Sequence, residues 1–382
     1  MLKLLLFTMF SYALLFAQTY EEAKTAFTNG NVMQAHSIWL KLANTGDAKS
    51  QRALGNLYSM DLKEIPLDYK KSFMWYQKAA IQGDAAAQTN LATFYIRGFG
   101  VKKNPDEARR WYLKAAIQND PEAMYNLALI YHKGIGIKAD RKEALKWLEA
   151  AAQLGHAQSQ YDLGVVYFDE TSAAKDFQQA RSWFSRAAEQ GHSGAENYLG
   201  VMYLSGIGVK KDPGEARHWF LKAAKQNNPE AMSNLAIFYF KGIGVKADEK
   251  EARKWLEAAA QLGHVKSQYN LGNIYLNGIG VAKDFQKARL LFLRAAERGH
   301  SGAENYLGLM YLHGDGVKKD ENRAYGWFKK AALKDYSLAQ LNIGLMYYHG
   351  RGLKQDKKQA ASWLKKASEN GNEQAAEMLK EL

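Results

Sequence analysis

The 382 residues are 47% hydrophobic and 24% charged and include no cysteine, which excludes a disordered chain, a disulfide framework and a thiolate metal site. The formal charge of +13 favours anionic partners, yet basic and acidic residues interleave in every loop, as in VKKNPDEARR and VKKDENRA. Such interleaving describes a solvated face and argues against a nucleic-acid track.

The first element is Met1 to Ala17, MLKLLLFTMFSYALLFA, with Lys3 ahead of an apolar run from Leu4 to Phe16. The run is too short to span a bilayer of about 30 Å and has the form of a cleaved signal peptide. It predicts an exported protein, periplasmic or secreted, with no membrane span after cleavage and a charge of +12 once Lys3 is gone.

Beyond it, nine tryptophans stand at 39, 75, 111, 147, 183, 219, 255, 327 and 363, all on one 36-residue frame, with Leu291 in the vacant place. A fixed period of this length signals a solenoid of supersecondary units. Composition agrees: Ala, Leu and Lys are abundant, prolines number five, and no β-branched alternation occurs. The expected fold is all-α, an α/α solenoid of helix-turn-helix units. The boundaries read as signal peptide 1–17, N-terminal capping helices 18–46, nine repeats 47–370 and a C-terminal capping helix 371–382.

Within each unit the helix ends are punctuated. One frame holds Asn104, Asp140, Asp176, Asp212, Asp248, Asp284, Asp320 and Asp356, whose side-chain oxygens suit an N-cap. Pro105 and Pro213 follow at the first helical position, and Glu107, Glu143, Glu215 and Glu251 are placed to complete capping boxes. That helix stops at Gly83, Asn119, Gly155, Gly191, Asn227, Gly263, Gly299, Asp335 or Gly371, residues that tolerate the left-handed conformation. The other helix carries a tyrosine frame, Tyr95 to Tyr347, three residues after an all-small frame from Ala92 to Gly344. Small residues let helices approach, and the Tyr and Trp rings are expected to fill the space alongside. A glycine turn such as Gly98-Phe99-Gly100 joins the two helices, except in the fourth unit, where Asp169 to Ala173 replaces it. The turn lacks the third glycine and the preceding strand of a nucleotide fingerprint.

Residues 105–212 and 213–320 are copies of one three-unit block: 44 of 58 positions between 107–164 and 215–272 are identical. The pattern small-x-x-Tyr, GxGV, Asp-x-x-x-Ala-x-x-Trp, Ala-Ala-x-x-Gly resembles the Sel1-like repeat family, relatives of tetratricopeptide repeats. The resemblance covers about Tyr20 to Leu382 and implies a right-handed superhelix of antiparallel helix pairs acting as a scaffold or adaptor. A secreted, cysteine-rich subgroup of that family is associated with penicillin binding and β-lactamase activity; this chain lacks those cysteines.

Chemistry is sparse. Ser172-Ala-Ala-Lys175 and Ser362-Trp-Leu-Lys365 match the SxxK form of a penicillin-reactive serine, but neither SDN nor KTG occurs, and no catalytic side chain is assigned. His156, His192, His264 and His300 share one repeat position and so do not converge on a metal; no metal and no cofactor are expected. By analogy with tetratricopeptide repeats, the frames through 86, 89, 90, 93 and 96 line a concave face. Five of its eight positions differ between the copies, against nine of the other fifty. Tyr125, Asn126, Tyr161, Asn234, Tyr269 and Asn270 place aromatic faces beside carboxamides, which suits an extended peptide. The expectation is therefore an exported scaffold binding a protein or peptide. A weak penicillin-binding hydrolase, with Ser172 as nucleophile, and a binder of acidic envelope polymers stand as alternatives. Oligomeric state stays open.

Overall fold

A computed structural model describes residues 19–169 and 175–381; Met1 to Ala17 and Ser172 lie outside them. Among the described residues there are 21 α-helices and no strand. The chain comprises two units, residues 1–190 and 191–382. The first begins with Tyr20–Thr28 and Val32–Asn44 and continues in helix pairs of the kind Ala85–Arg97 with Pro105–Ile117. The second runs in the same pairs from Ser193–Ser205 with Pro213–Lys225 to a final helix, Glu373–Glu381. Each is a stack of helix-turn-helix units of about 36 residues, an α solenoid.

The punctuation works as residue chemistry dictates. All eight caps from Asn104 to Asp356 accept a backbone N–H in the first turn of the helix they open. The nine stops all have positive φ, including the non-glycine Asn119 (63°), Asn227 (60°) and Asp335 (59°). The turn between the helices is closed by a bond that the sequence does not announce. Each cap residue donates its own N–H to the carbonyl of the tyrosine frame, as in Asn104 to Tyr95 at 2.9 Å and Asp248 to Tyr239 at 2.8 Å. Asp176 makes the same bond to Tyr167 at 2.9 Å, so the fourth unit is clamped alike although it has no glycine turn.

Two expectations are corrected. The glutamates three residues after the caps do not reach back to form capping boxes. Glu107, Glu143 and Glu251 instead pair one turn onward with Arg110, Lys146 and Lys254 at 2.7, 3.2 and 2.8 Å. A long cation within reach on the same helix face takes the carboxylate. The one capping box described in full is Thr19 with Glu22.

The tryptophans are also not the deepest part of the core. Trp39 and Trp75 are buried, but the other seven are only partly so, and in six of those seven units, Leu148 excepted, the residue that follows the Trp is the one sealed in. Phe184, Phe220, Phe292 and Phe328 are fully buried because the small frame makes room for them. A Cβ added at Gly200 would stand 2.6 Å from the Phe220 ring, and Gly164, Gly272 and Gly308 meet Phe184, Phe292 and Phe328 in the same way. Glycine here is a space filled by a ring, and the ring's burial supplies apolar stabilisation. The tryptophans cover the rim, often under a cation one turn on: Lys114 over Trp111 at 3.9 Å, Lys330 over Trp327 at 4.2 Å, Lys78 over Trp75 at 4.3 Å.

Candidate binding face

The first helix of each pair presents the predicted lining, and beneath it runs a buried polar rail. Gln51, Gln88, Gln160, Gln268 and Gln340 are nearly fully buried, and each donates to a carbonyl eight residues earlier at 3.0–3.1 Å. The Oε1 atoms of all but Gln268 accept from the following unit, as in Gln118 to Gln88 at 2.9 Å and Gln190 to Gln160 at 2.8 Å. Two glutamates take the same position. Fully buried Glu196 receives Lys222 at 3.1 Å and Gln226 at 2.7 Å, and Glu304 receives Lys334 at 2.8 Å. Buried polar groups need partners, so this rail sets the spacing of successive units.

Above the rail, neighbouring helices are joined by pairs 37 residues apart. Asn234 donates to Asn197 at 2.9 Å, and Asn342 donates to Asn305 at 2.9 Å. Tyr306 pairs with Tyr269, and Tyr125 pairs with Asp162; burial, reinforced by the Asp162 carboxylate, pushes the Tyr125 phenol up to about 12. The predicted residues are thus placed as follows. Tyr125 and Asn234 hold junctions. Asn126 donates back to the Glu122 carbonyl at 2.8 Å on its own helix. Tyr161 lies 6.1 Å from the Phe184 ring. Tyr269 stacks on His300 at 4.3 Å, and Asn270 makes no side-chain hydrogen bond among the described residues.

Tyr269 and Asn270 come together at an opening on this face. It is a cleft of about 640 Å³ whose walls include Glu230, His264, Lys266, Arg298 and His300. Burial lowers the His264 and His300 pKa values, so both rings are neutral at pH 7. The cleft then carries two cations, Lys266 and Arg298, against one carboxylate. Arg298 is spent on the Gly263 carbonyl at 2.5 Å, which leaves Gln268 Oε1, elsewhere an acceptor in the rail, without a donor.

The repeated histidines have a role that sequence reasoning missed. They are N-caps: His156, His192 and His300 accept from backbone N–H three residues on, and His264 Nδ1 meets Ser267 Oγ at 2.8 Å. The signal was present, since Asp84, Asp120 and Asn228 hold the same position in other units. Ser362 sits within helix Lys357–Glu369, and Lys365 turns toward Glu369 at 3.9 Å. Among the described residues no three His, Asp or Glu side chains gather as a metal set.

Nine consecutive stretches from 48–84 to 337–372 match the Sel1 repeat, and the chain belongs to that family. It is similar in structure to a protective antigen of uropathogenic Escherichia coli with an SLR fold. That match is 33% identical, covers 91% of this chain and 82% of the other, and has a TM-score of 0.64. It is similar as well to a Sel1 repeat protein of Oxalobacter formigenes, 32% identical over 90% of this chain and 88% of the other, with a TM-score of 0.50. No helix among the described residues is long and apolar enough to cross a membrane.

Proposed function

We propose that this Sel1-repeat scaffold is exported and holds another protein or an extended peptide along the face built by its first helices, the face that the family resemblance makes concave. The observation that carries the reading is the cleft of about 640 Å³ in which Tyr269 offers a ring and Asn270 an uncommitted carboxamide. An extended chain needs backbone hydrogen-bond partners and apolar contact together, and a carboxamide beside an aromatic face supplies both. Export rests on the apolar segment Met1 to Ala17.

The test is a photoreactive residue introduced at position 270, compared with one at Lys358, which is exposed on a second helix. The expected result is a polypeptide crosslinked from position 270 and not from 358. Purified, that partner is expected to bind Asn270→Ala and Tyr269→Ala about tenfold more weakly than wild type, with little salt dependence. Equal crosslinking at both positions would sink the reading, and affinity collapsing with salt would point to an acidic polymer instead. Intact mass of the protein recovered outside the cytoplasm checks export: the expected chain lacks the first 17 residues or so.

A further inference from the structure

A second cavity, of about 220 Å³, opens on the same face between helices Pro229–Lys241 and Val265–Asn277. Its walls depart from the packing seen in four other units. Where Gly164, Gly200, Gly272 and Gly308 receive a phenylalanine ring, this unit has Ala236 opposite Leu256. Leu364 fills the slot at Gly344, but Leu256 beside Ala236 leaves void. Ile237, Ile274 and Ile279 wall it, and Phe240, 44% exposed, stands at its mouth.

One wall breaks a second rule. The position immediately after the small frame is polar only where a tyrosine faces it. Asn56 accepts from the Tyr76 hydroxyl at 2.7 Å, and Thr93 meets the Tyr112 hydroxyl at 2.8 Å. Where the facing residue is Phe or Leu, the position is apolar: Leu129, Val165, Val201, Ile237, Leu309 and Leu345. Asn273 is the exception, set in register with Phe292, which has no hydroxyl. Its Oδ1 is buried and has no hydrogen-bond partner among the described residues, and the residue lines the cavity. A buried acceptor left unpaired costs stability, and such local inconsistencies concentrate where a ligand completes the structure.

We infer that this cavity receives an aromatic side chain bearing a hydrogen-bond donor, the Trp indole or Tyr phenol of a partner polypeptide, with Asn273 Oδ1 as the acceptor. The size fits, since a cavity of about 150 Å³ takes up benzene, and the larger space here accommodates a substituted or fused ring. An aliphatic side chain brings no donor to Oδ1. Asn270, which also lines the cavity and makes no side-chain hydrogen bond among the described residues, is positioned to bind the peptide backbone that carries the ring. The inference rests on the peptide-binding reading above and narrows what that peptide carries.

The test uses the full chain and ligand-observed NMR titration with capped alanine tripeptides carrying Trp, Tyr, Phe or Leu at the centre, and with free indole. Wild type is expected to bind the Trp and Tyr peptides about tenfold more tightly than the Phe and Leu peptides. Asn273→Leu, which installs the residue already used at 309 and 345, is expected to erase that preference. The double change Ala236→Gly with Leu256→Phe installs the ring-in-glycine pair of four other units and is expected to abolish tripeptide binding. Absence of a Trp or Tyr preference in wild type, or its persistence in Asn273→Leu, would overturn the inference. Free indole binding as tightly as the Trp tripeptide would overturn the polypeptide source. Crosslinking of a partner from position 270 without any tripeptide binding would remove this inference while leaving the groove reading intact.

Discussion

The two copies of the duplicated block agree in most of the scaffold and differ more densely on the face. Asp140 and Asp248 cap the same helix, Gly155 and Gly263 end it at φ of 88° and 83°, and Gln160 and Gln268 donate to the same carbonyl at 3.1 Å. On the face, however, the first copy closes itself. Asp162 pairs with Tyr125, and His156 Nε2 meets Glu122 at 3.1 Å. The second copy puts Ser233 and Asn270 in the places of Tyr125 and Asp162. Ser233 is buried, and Asn270 is left facing a cleft. The copies share the caps and stops, and differ at the junction that Tyr125 and Asp162 make in the first.

That contrast can be broken most severely in the scaffold. Gly200→Leu forces a side chain into the Phe220 ring and is expected to cost about 3 kcal/mol, whereas Ala236→Gly, where the facing Leu256 leaves space, costs about 1 kcal/mol. Chemical denaturation of the two variants measures the difference; equal losses would mean that the ring does not depend on the glycine. Next in size, Gly155→Val places a β-branched residue at φ of 88° and is expected to cost about 2 kcal/mol, seen as a lowered melting temperature. Open space around that position rules out a clash as the cause.

A smaller effect comes with pH. His264 and His300 have folded pKa values depressed by burial below the ordinary 6.5. The folded state therefore disfavours their protonation, and the stability they contribute is present above about 6.5 and lost as pH falls through the folded values. A protonated ring also no longer accepts the cap bond at Nδ1, which His300 takes from Ala303 N–H at 3.1 Å. The melting temperature is expected to fall between pH 7.5 and 5. His300→Asn, which keeps a cap of the Asn228 kind, is expected to flatten that fall. An unchanged slope would remove His300 from the account.

The smallest effect is the most local. Asp162→Asn takes a negative charge from beside Tyr125, so the phenol is expected to titrate below its present value of about 12. Phenolate absorbance reads the change. Asn270→Asp should shift no corresponding tyrosine, because Ser233 stands opposite.

Much of this architecture was legible in the chain. Helix ends depend on one or two residues with specific backbone chemistry, so Asp at a cap and Gly or Asn at a left-handed stop can be read directly, and a 36-residue period multiplies the signal. The histidine caps were missed, and the side-chain partner of a cap glutamate was misread, because a carboxylate there can reach back to the cap or forward to a lysine, and packing decides. The face was legible as a set of positions and not as a set of free groups. Tyr125 and Asn234 sit on it but are engaged by residues 37 positions away, a distance at which neither identity nor period says who meets whom.

By itself the sequence determined the repeat, its register and where each helix starts and stops, because those follow from local backbone preferences repeated nine times. Tertiary structure alone decided which ring fills which glycine, which carboxamides are satisfied and where space is left over. These are matters of volume and hydrogen-bond pairing between segments 20 to 37 residues apart, and there a single exchange, Leu256 for a phenylalanine or Asn273 for an aliphatic residue, leaves the period intact while opening a cavity or stranding an acceptor.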